Sequence, residues 1–409
     1  MNLYEDLKWR GLIKDFSSPD LVDKLNNSTL TFYWGTDPTA DSLHLGHYVS
    51  LVMAKRLANY GHKPILLVGG ATGLIGDPRP SGEREIISKE TLDKYFVGIK
   101  NQVTRLVPNA TLVNNYDWMK NYNFLDFLRD IGKYINVNYI LNKDIVSRRL
   151  DSGITYAEFS YTLIQGYDFL HLLREKNCLM QVAGSDQWGN ITTGIELIRK
   201  LEDKEAYGFT MPLILDKTGK KFGKSEGNAL WLDKNKTTSY QLYQYLVNTD
   251  DSLVIDYLKV FTFLSKEQIE KLEEKHKKAP ELREAHKALA REIITDIHGE
   301  EEYKKALKIS ESLFTDKINE LSAQDILNNM KDVPTFTVSE GENIVDMTTE
   351  SGICKSKREA REFISCGAIS INNKKVDTLE YTISKEEAID GQVLLIKKGK
   401  KNYFVGKFN

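Results

Sequence analysis

The sequence predicts an α/β fold built on a parallel sheet, followed by an α-helical unit and a small α+β module. Three observations carry that prediction. Through the first half, short apolar runs alternate with longer helical patterns, as expected for parallel strands joined by right-handed helical crossovers. From about Ser239 to Leu327 the pattern is helical throughout, with Pro280 as its only proline; such a stretch forms a helical unit of its own. From about Ile344 a basic helix precedes short strand-like runs such as Ala368 to Ile371 and Gln392 to Ile396.

Taken in order, Thr29 to Trp34, Pro64 to Gly70, Ala110 to Asn114, Cys178 to Gly184 and Met211 to Leu215 read as buried strands bounded by glycine or polar breakers. Leu45 to Tyr60, Lys89 to Leu106 and Gln187 to Leu201 read as the helices between them. The expected boundaries are residues 1–235, 236–330, a linker at 331–343 that lacks periodicity and carries turn formers, and 344–409. In an open parallel sheet, ligands lie beyond the carboxyl ends of the strands. Tyr33, the Gly69-Gly70 turn and Asp186-Gln187 all fall there, beside His44 and His47.

The chain's 409 residues favour two to four domains, each large enough for its own core. A 41% apolar and 28% charged composition is that of an ordinary globular protein. Cys178, Cys354 and Cys366 are odd in number and lack metal-ligand spacing, which argues against a disulfide framework or a structural zinc site and for a reducing cytosol. The N-terminus carries acids where a signal peptide needs an apolar core, and no segment approaches the roughly 20 apolar residues that span a bilayer. The expected protein is cytoplasmic and makes no membrane contact. A net charge of −2 argues against nucleic-acid binding over the whole surface. Local basic patches remain: 355–361, 397–401, and Lys143 with Arg148 and Arg149.

Two motifs point to nucleotide phosphate chemistry. In His44-Leu45-Gly46-His47, a helix opening at about Leu43 would place both imidazoles on one face of its first turn. Unpaired N–H groups and the positive dipole end there favour phosphate, and Gly46 lets a nucleotide approach the backbone. Far downstream, Lys221-Phe222-Gly223-Lys224-Ser225 reads as a mobile basic loop. Such a loop can close over a triphosphate and supply charge to the transition state.

In this order the motifs resemble the two signatures of class I aminoacyl-tRNA synthetases, and their surroundings resemble the bacterial-type tyrosyl family. The likeness runs the length of the chain. It rests on the run from Tyr33 to Leu43 (Tyr-Trp-Gly-Thr-Asp-Pro-Thr-Ala-Asp-Ser-Leu), on Gly69-Gly70-Ala71-Thr72-Gly73-Leu74-Ile75-Gly76-Asp77-Pro78, on Tyr161, Gln165 and Asp168, and on Gly184-Ser185-Asp186-Gln187-Trp188-Gly189-Asn190. The resemblance implies a Rossmann-like catalytic domain, an anticodon-binding helical domain and a small RNA-binding module first recognised in a small-subunit ribosomal protein. The helix Lys355 to Ser365, followed by Gly367-Ala368-Ile369, carries the likeness to that module.

It also implies a homodimer that activates L-tyrosine with ATP and charges its cognate tRNA, the tRNA(Tyr) acceptor. Magnesium would bridge ATP oxygens without an all-protein cage. His44 and His47 would stabilise phosphates; Lys221, Lys224 and Ser225 would clamp pyrophosphate. Tyr33 and Asp168 would read the phenol hydroxyl. Tyr161 and Gln165 would hold the α-ammonium with Asp77 as counter-charge, and the spacing of Tyr161, Gln165 and Asp168 sets them on one helical face. Gly35, Asp37, Gly46, Gly184, Asp186, Gln187 and Lys224 would line the ATP side, and Lys355, Lys357, Arg358 and Arg361 would meet tRNA. Lys217 and Lys220 read as ordinary surface lysines.

The pattern departs from the family's in Leu45 for isoleucine, in Phe222-Gly223 for methionine-serine, and in the 79–84 loop, where either Arg79 or Arg84 would reach pyrophosphate. A tryptophanyl synthetase would share the sheet and both signatures but would not need Tyr33 and Asp168. A nucleotidyltransferase would have no use for the helical unit and terminal module. An RNA-binding protein on the same scaffold would not need its histidines and lysines intact.

Overall fold

The structure, a computed structural model, describes residues 1–78, 82, 87–225, 228–314, 318–330, 333–399 and 402–408. The chain divides into two compact units, Met1–Lys236 with Thr249–Leu289, and Thr237–Asn248 with Ala290–Asn409.

The first unit is built on five parallel strands: β1 (Thr31–Thr36), β2 (Lys63–Val68), β3 (Thr111–Asn114), β4 (Cys178–Gly184) and β5 (Tyr207–Met211), in the order β3-β2-β1-β4-β5. The runs are almost continuously apolar because both faces of a parallel sheet are covered; every residue of β5 is buried. The order reverses between β1 and β4, so the crevice beyond their carboxyl ends is a natural ligand site. Tyr33 pairs in register with Ile65 on one side and Gln181 on the other.

Flanking helices start where the sequence supplies caps. Ser88 accepts from Thr91 N to open Lys89–Leu106, and Thr155 accepts from Glu158 N to open Tyr156–Lys176. The latter closes on Asn177 at φ 50°, a left-handed position asparagine tolerates. No helix among the described residues is long and apolar enough to cross a membrane.

One strand differs from expectation. The final strand of the sheet is Tyr207–Met211, not Met211 to Leu215. Gly208 makes this possible, because a Cβ there would lie 2.4 Å from Ile191 Cγ2 of the covering helix. The more apolar run that follows begins with Pro212, which cannot donate to a ladder.

In the second unit the helix Ser239–Val247 opens with a reciprocal Thr238–Gln241 cap. Five further strands, β8 (Thr335–Val338), β9 (Ile369–Ile371), β10 (Lys374–Lys375), β11 (Val393–Lys398) and β12 (Asn402–Phe408), form a sheet in the order β10-β9-β11-β12-β8. In the first unit, β6 (Lys224–Ser225) and β7 (Asn228–Ala229) form a short antiparallel pair. β8 lies inside the stretch read as a linker and pairs in parallel with β12, Val405 opposite Thr335. One face of the terminal sheet packs on Ile344, Ile364 and Ala360. Through Val393, Leu395 and Val405 the sheet also shares a core with Ile309, Leu313 and Ile326 of the preceding helices.

Candidate active site

The two histidines open the helix Leu45–Asn59 differently from the sequence reading. The helix begins at Leu45, so His44 is its N-cap and only His47 lies in the first turn. Gly46 N donates to His44 Nδ1 at 3.1 Å, and His44 N donates to His47 Nδ1 at 3.3 Å. This reciprocal cap stacks the rings 3.9 Å apart. His47 keeps a partly solvent-facing edge, but dense packing pushes its pKa down to about 3, helped by His44 and Lys221. It therefore acts at neutral pH as a neutral hydrogen-bonding group.

The Lys221 to Ser225 signature is anchored, not simply a loose loop. Phe222 is 2% exposed and stacks on Phe261 at 4.6 Å and edge-on to Tyr257 at 4.5 Å. Phe222 N donates to Ile214 O, and Leu230 N donates to Gly223 O. Leu45 N in turn donates to Leu230 O, so the two signatures share one backbone ladder. Gly223 has φ +85°, and a Cβ there would lie 2.8 Å from Leu45 Cβ; only glycine fits this approach. Lys221 Nζ reaches Asp186 Oδ2 at 3.6 Å, and Asp186 stands against Gly184, where a Cβ would meet its Oδ1 at 2.8 Å. The side chains of Lys224 and Ser225, and Arg79 and Arg84, lie outside the described residues. Lys217 is ion-paired with Asp250 at 2.8 Å.

The floor of the crevice is polar and buried. Asp168, on Tyr156–Lys176, is 1% exposed. Its Oδ1 accepts from Trp118 Nε1 at 2.9 Å, and its Oδ2 accepts from Asn115 Nδ2 at 3.0 Å. Burial raises its pKa to about 7 against the pull of those two donors. Tyr33 Oη is buried with no hydrogen-bond partner among the described residues. Burial first, and then the charge of Asp168, hold its phenol pKa well above the usual value.

On the same helical face Tyr161 donates to Asp37 Oδ2 at 2.9 Å, and Thr72 donates to Asp37 Oδ1 at 2.6 Å. Asp37, expected on the ATP side, is thereby also tied to Tyr161. A Cβ on Gly69 would fall 2.1 Å from Asp37 Oδ1 and 2.2 Å from Thr72 Oγ1, so this network needs the glycine turn. Gln187 Nε2 donates to Asp77 Oδ2 at 2.9 Å, and Asn190 Nδ2 donates to Gln165 Oε1 at 3.0 Å. Gly35 lies near the end of β1, where an added Cβ would come to ordinary contact with Leu67 at 3.7 Å and Tyr33 at 4.0 Å.

The structure therefore gathers Tyr33, Gly35, Asp37, His44, Gly46, His47, Asp77, Tyr161, Gln165, Asp168, Gly184, Asp186, Gln187 and Lys221 around one crevice. Sequence reasoning missed Thr72, Asn115, Trp118 and Asn190. Asn115 had a readable signal, since it follows the last residue of β3 and so stands at a strand's carboxyl end.

The comparisons follow this geometry. Residues 25–315 match the family model for class I tRNA synthetases of the W and Y type, and residues 325–405 match that of the tyrosine–tRNA ligase C-terminal domain. The chain is 48% identical over 416 residues to tyrosine–tRNA ligase 1 of Bacillus subtilis, covering 99% of each. It belongs to the bacterial-type tyrosyl-tRNA synthetases. A relative from Staphylococcus carnosus is likewise 48% identical over 99% of each chain. Among solved structures, the C-terminally truncated mitochondrial tyrosyl-tRNA synthetase of Aspergillus nidulans matches with TM-score 0.69 and 32% identity, over 76% of this chain and 94% of that one. That of Coccidioides posadasii matches with TM-score 0.66 and 32% identity, over 75% and 91%.

The basic patches of this tyrosyl-tRNA synthetase family member are unequal. Lys355, Lys357, Arg358 and Arg361 are exposed, although Lys357 pairs with Asp346 at 2.6 Å. Lys398 is held by Glu359 at 2.9 Å and by Ile353 O at 2.7 Å. Arg149 is buried against Glu158 at 2.8 Å. These last two serve folding, which corrects their inclusion among candidate RNA contacts.

Proposed function

We propose that the crevice activates L-tyrosine with ATP and that the chain then transfers tyrosine to the 3′ end of its cognate tRNA. In the first step a tyrosine carboxylate oxygen bonds to the α-phosphorus, the bridging bond to the β-phosphate breaks, and pyrophosphate leaves. In the second, a ribose hydroxyl of the tRNA attacks the activated carbonyl and AMP departs. No protein nucleophile is needed, so catalysis rests on positioning and charge stabilisation.

The observation that carries this reading is a buried Tyr33 hydroxyl with no partner among the described residues, close enough to the buried Asp168 to feel its charge. An incoming phenol donates to Asp168 and accepts from Tyr33, relieving a buried polar group that otherwise costs about 1–3 kcal/mol. Phenylalanine leaves the Tyr33 hydroxyl unpaired and gives Asp168 no further donor, which is how such sites reject an analogue lacking a hydroxyl. Asp77, with Tyr161 and Gln165, receives the α-ammonium. The N-cap His44 and neutral His47, with Gly46 between them, take the phosphates of magnesium-bound ATP, Asp186 and Gln187 its ribose side, and Lys221, Lys224 and Ser225 the departing pyrophosphate. Lys355, Lys357, Arg358 and Arg361 offer phosphate contacts to tRNA.

Five large apolar side chains, Phe124, Leu125, Val137, Leu150 and Tyr156, are 45–72% exposed within one stretch. That supports the homodimer the family implies, and sedimentation at the mass of two chains is the expected result. The reading also places the protein in the cytoplasm, where tRNA is charged. Its test is a single turnover with ATP and tyrosine. Mass spectrometry should detect enzyme-bound tyrosyl-adenylate, chased to aminoacyl-tRNA when tRNA is added. Folded protein that forms no adenylate refutes it.

A further inference from the structure

Away from the crevice, three side chains with metal-binding atoms converge in the helical part of the first unit. His276 lies near the end of the helix Lys266–Lys278, His286 near the start of Glu284–His298, and Asp251 on the turn after Asp250. One ligand atom from each lies within 4.8 Å of the others. His286 Nε2 is 3.2 Å from Asp251 Oδ1. The imidazole rings are 5.4 Å apart. His286 is fully buried, while Asp251 is 55% exposed and keeps the cluster open to solvent.

The hydrogen bonding here is incomplete. His276 Nε2 sits 3.0 Å from Asp251 O, and His286 Nε2 sits 3.0 Å from Thr249 O. Each ring therefore carries its proton on Nε2 and its lone pair on Nδ1. Both Nδ1 atoms are buried with no partner among the described residues. Two buried imidazole lone pairs beside a carboxylate call for a proton or a cation.

We propose that Asp251, His276 and His286, none of them a residue of the catalytic crevice, form a binding site for a divalent transition-metal ion of the zinc type. Imidazole nitrogen with a single carboxylate selects zinc, cobalt, nickel or copper over magnesium or calcium. The ion takes one nitrogen from each ring and one Asp251 oxygen, and solvent completes its coordination. Arg283 Nη2 is 3.9 Å from Asp251 Oδ1 and 3.2 Å from Thr249 O. It gives up the first contact and keeps the second. Bound metal cross-links the 249–252 turn to two helices. The ligands come from three segments separated by turns, so no compact spacing in the sequence announces them.

The test is titration of the full-length protein, stripped with a chelator, with cobalt(II). The expected result is one equivalent bound with the visible absorption of a four-coordinate nitrogen–oxygen site, displaced by zinc(II). His276→Gln and Asp251→Asn should each weaken binding at least about tenfold while leaving the circular dichroism spectrum and pyrophosphate exchange unchanged. Two variants are used so that misfolding of one does not decide the outcome. Cobalt affinity equal to wild type in both folded variants, binding abolished by ATP instead of by the substitutions, or no stoichiometric binding at all would overturn the proposal.

Discussion

Replacing Asp168 by asparagine tests how the pocket reads a phenol. The carboxylate accepts from Trp118 on one oxygen and from Asn115 on the other, and it has lone pairs left for a tyrosine hydroxyl. Asparagine keeps the shape but turns one oxygen into a donor. Whichever way the amide turns, Trp118, Asn115 or the incoming hydroxyl then meets an N–H. A hydrogen bond to a charged group is worth about 1.5–3 kcal/mol, so kcat/KM for tyrosine should fall roughly ten- to a hundredfold. Phenylalanine has no hydroxyl to lose, so its kcat/KM stays near the wild-type value and the selectivity ratio drops by the same factor.

The pH profile supplies a second readout. With its pKa raised to about 7, Asp168 accepts the phenol only after losing its proton. Wild-type kcat/KM for tyrosine should therefore climb with pH through about 7 and then level, and this step should vanish in Asp168→Asn. Equal losses for tyrosine and phenylalanine, or a pH step unchanged in the variant, would refute the reasoning. The same shift has a stability consequence. The folded-state pKa lies above its ordinary 3.8, so the folded protein binds more protons between those values. The stability contribution is greatest below 3.8 and declines as pH rises to about 7, a slope the variant should lack in denaturant titrations.

Four further outcomes are expected. His47, held near 3, should stay neutral at pH 5.5 in nitrogen-15 spectra; titration near 6.5 would contradict its placement. Its unfolded form protonates first, so it should make the protein less stable as pH falls from 6.5. Gly69→Ala should weaken tyrosine binding at least about tenfold, because accommodating the Cβ costs about 1–3 kcal/mol at the Asp37–Thr72 contact; unchanged calorimetric affinity would remove that network from the site. Phe222→Ala should cut the pyrophosphate-exchange kcat while sparing tyrosine affinity, since it frees a core anchor worth about 3–5 kcal/mol; a matching loss of affinity would show a general folding defect. Arg358→Glu with Arg361→Glu should leave exchange intact, raise the KM for tRNA and flatten its salt dependence by about one unit of slope per lost phosphate contact; an unaltered salt slope would place the RNA elsewhere.

Much of this architecture is legible in the chain because buried parallel strands are continuous apolar runs. Cys178–Gly184 and Lys89–Leu106 coincide with their expected spans. The misses have physical causes. β5 contains Gly208, demanded by Ile191 across the sheet face, and the strand preference of Tyr207–Met211 is outweighed locally by the apolar run after it. β8 is a strand only because β12, some seventy residues later, pairs with it.

In the site, signature residues are readable one at a time, but their relations are not. That His44 caps the helix instead of riding on it follows from its cap to Gly46. That Asn115 and Trp118 hold Asp168 depends on contacts across about fifty positions. Charge is visible in sequence while pairing is not, which is why Arg149 and Lys398 looked available and are not.

The central claim is that this crevice activates tyrosine by recognising its hydroxyl. ATP–pyrophosphate exchange on the purified chain with tyrosine, phenylalanine and tryptophan in separate reactions tests it most directly. The account predicts rapid exchange with tyrosine alone. Exchange led by tryptophan, or none with any of the three from folded protein, would contradict it.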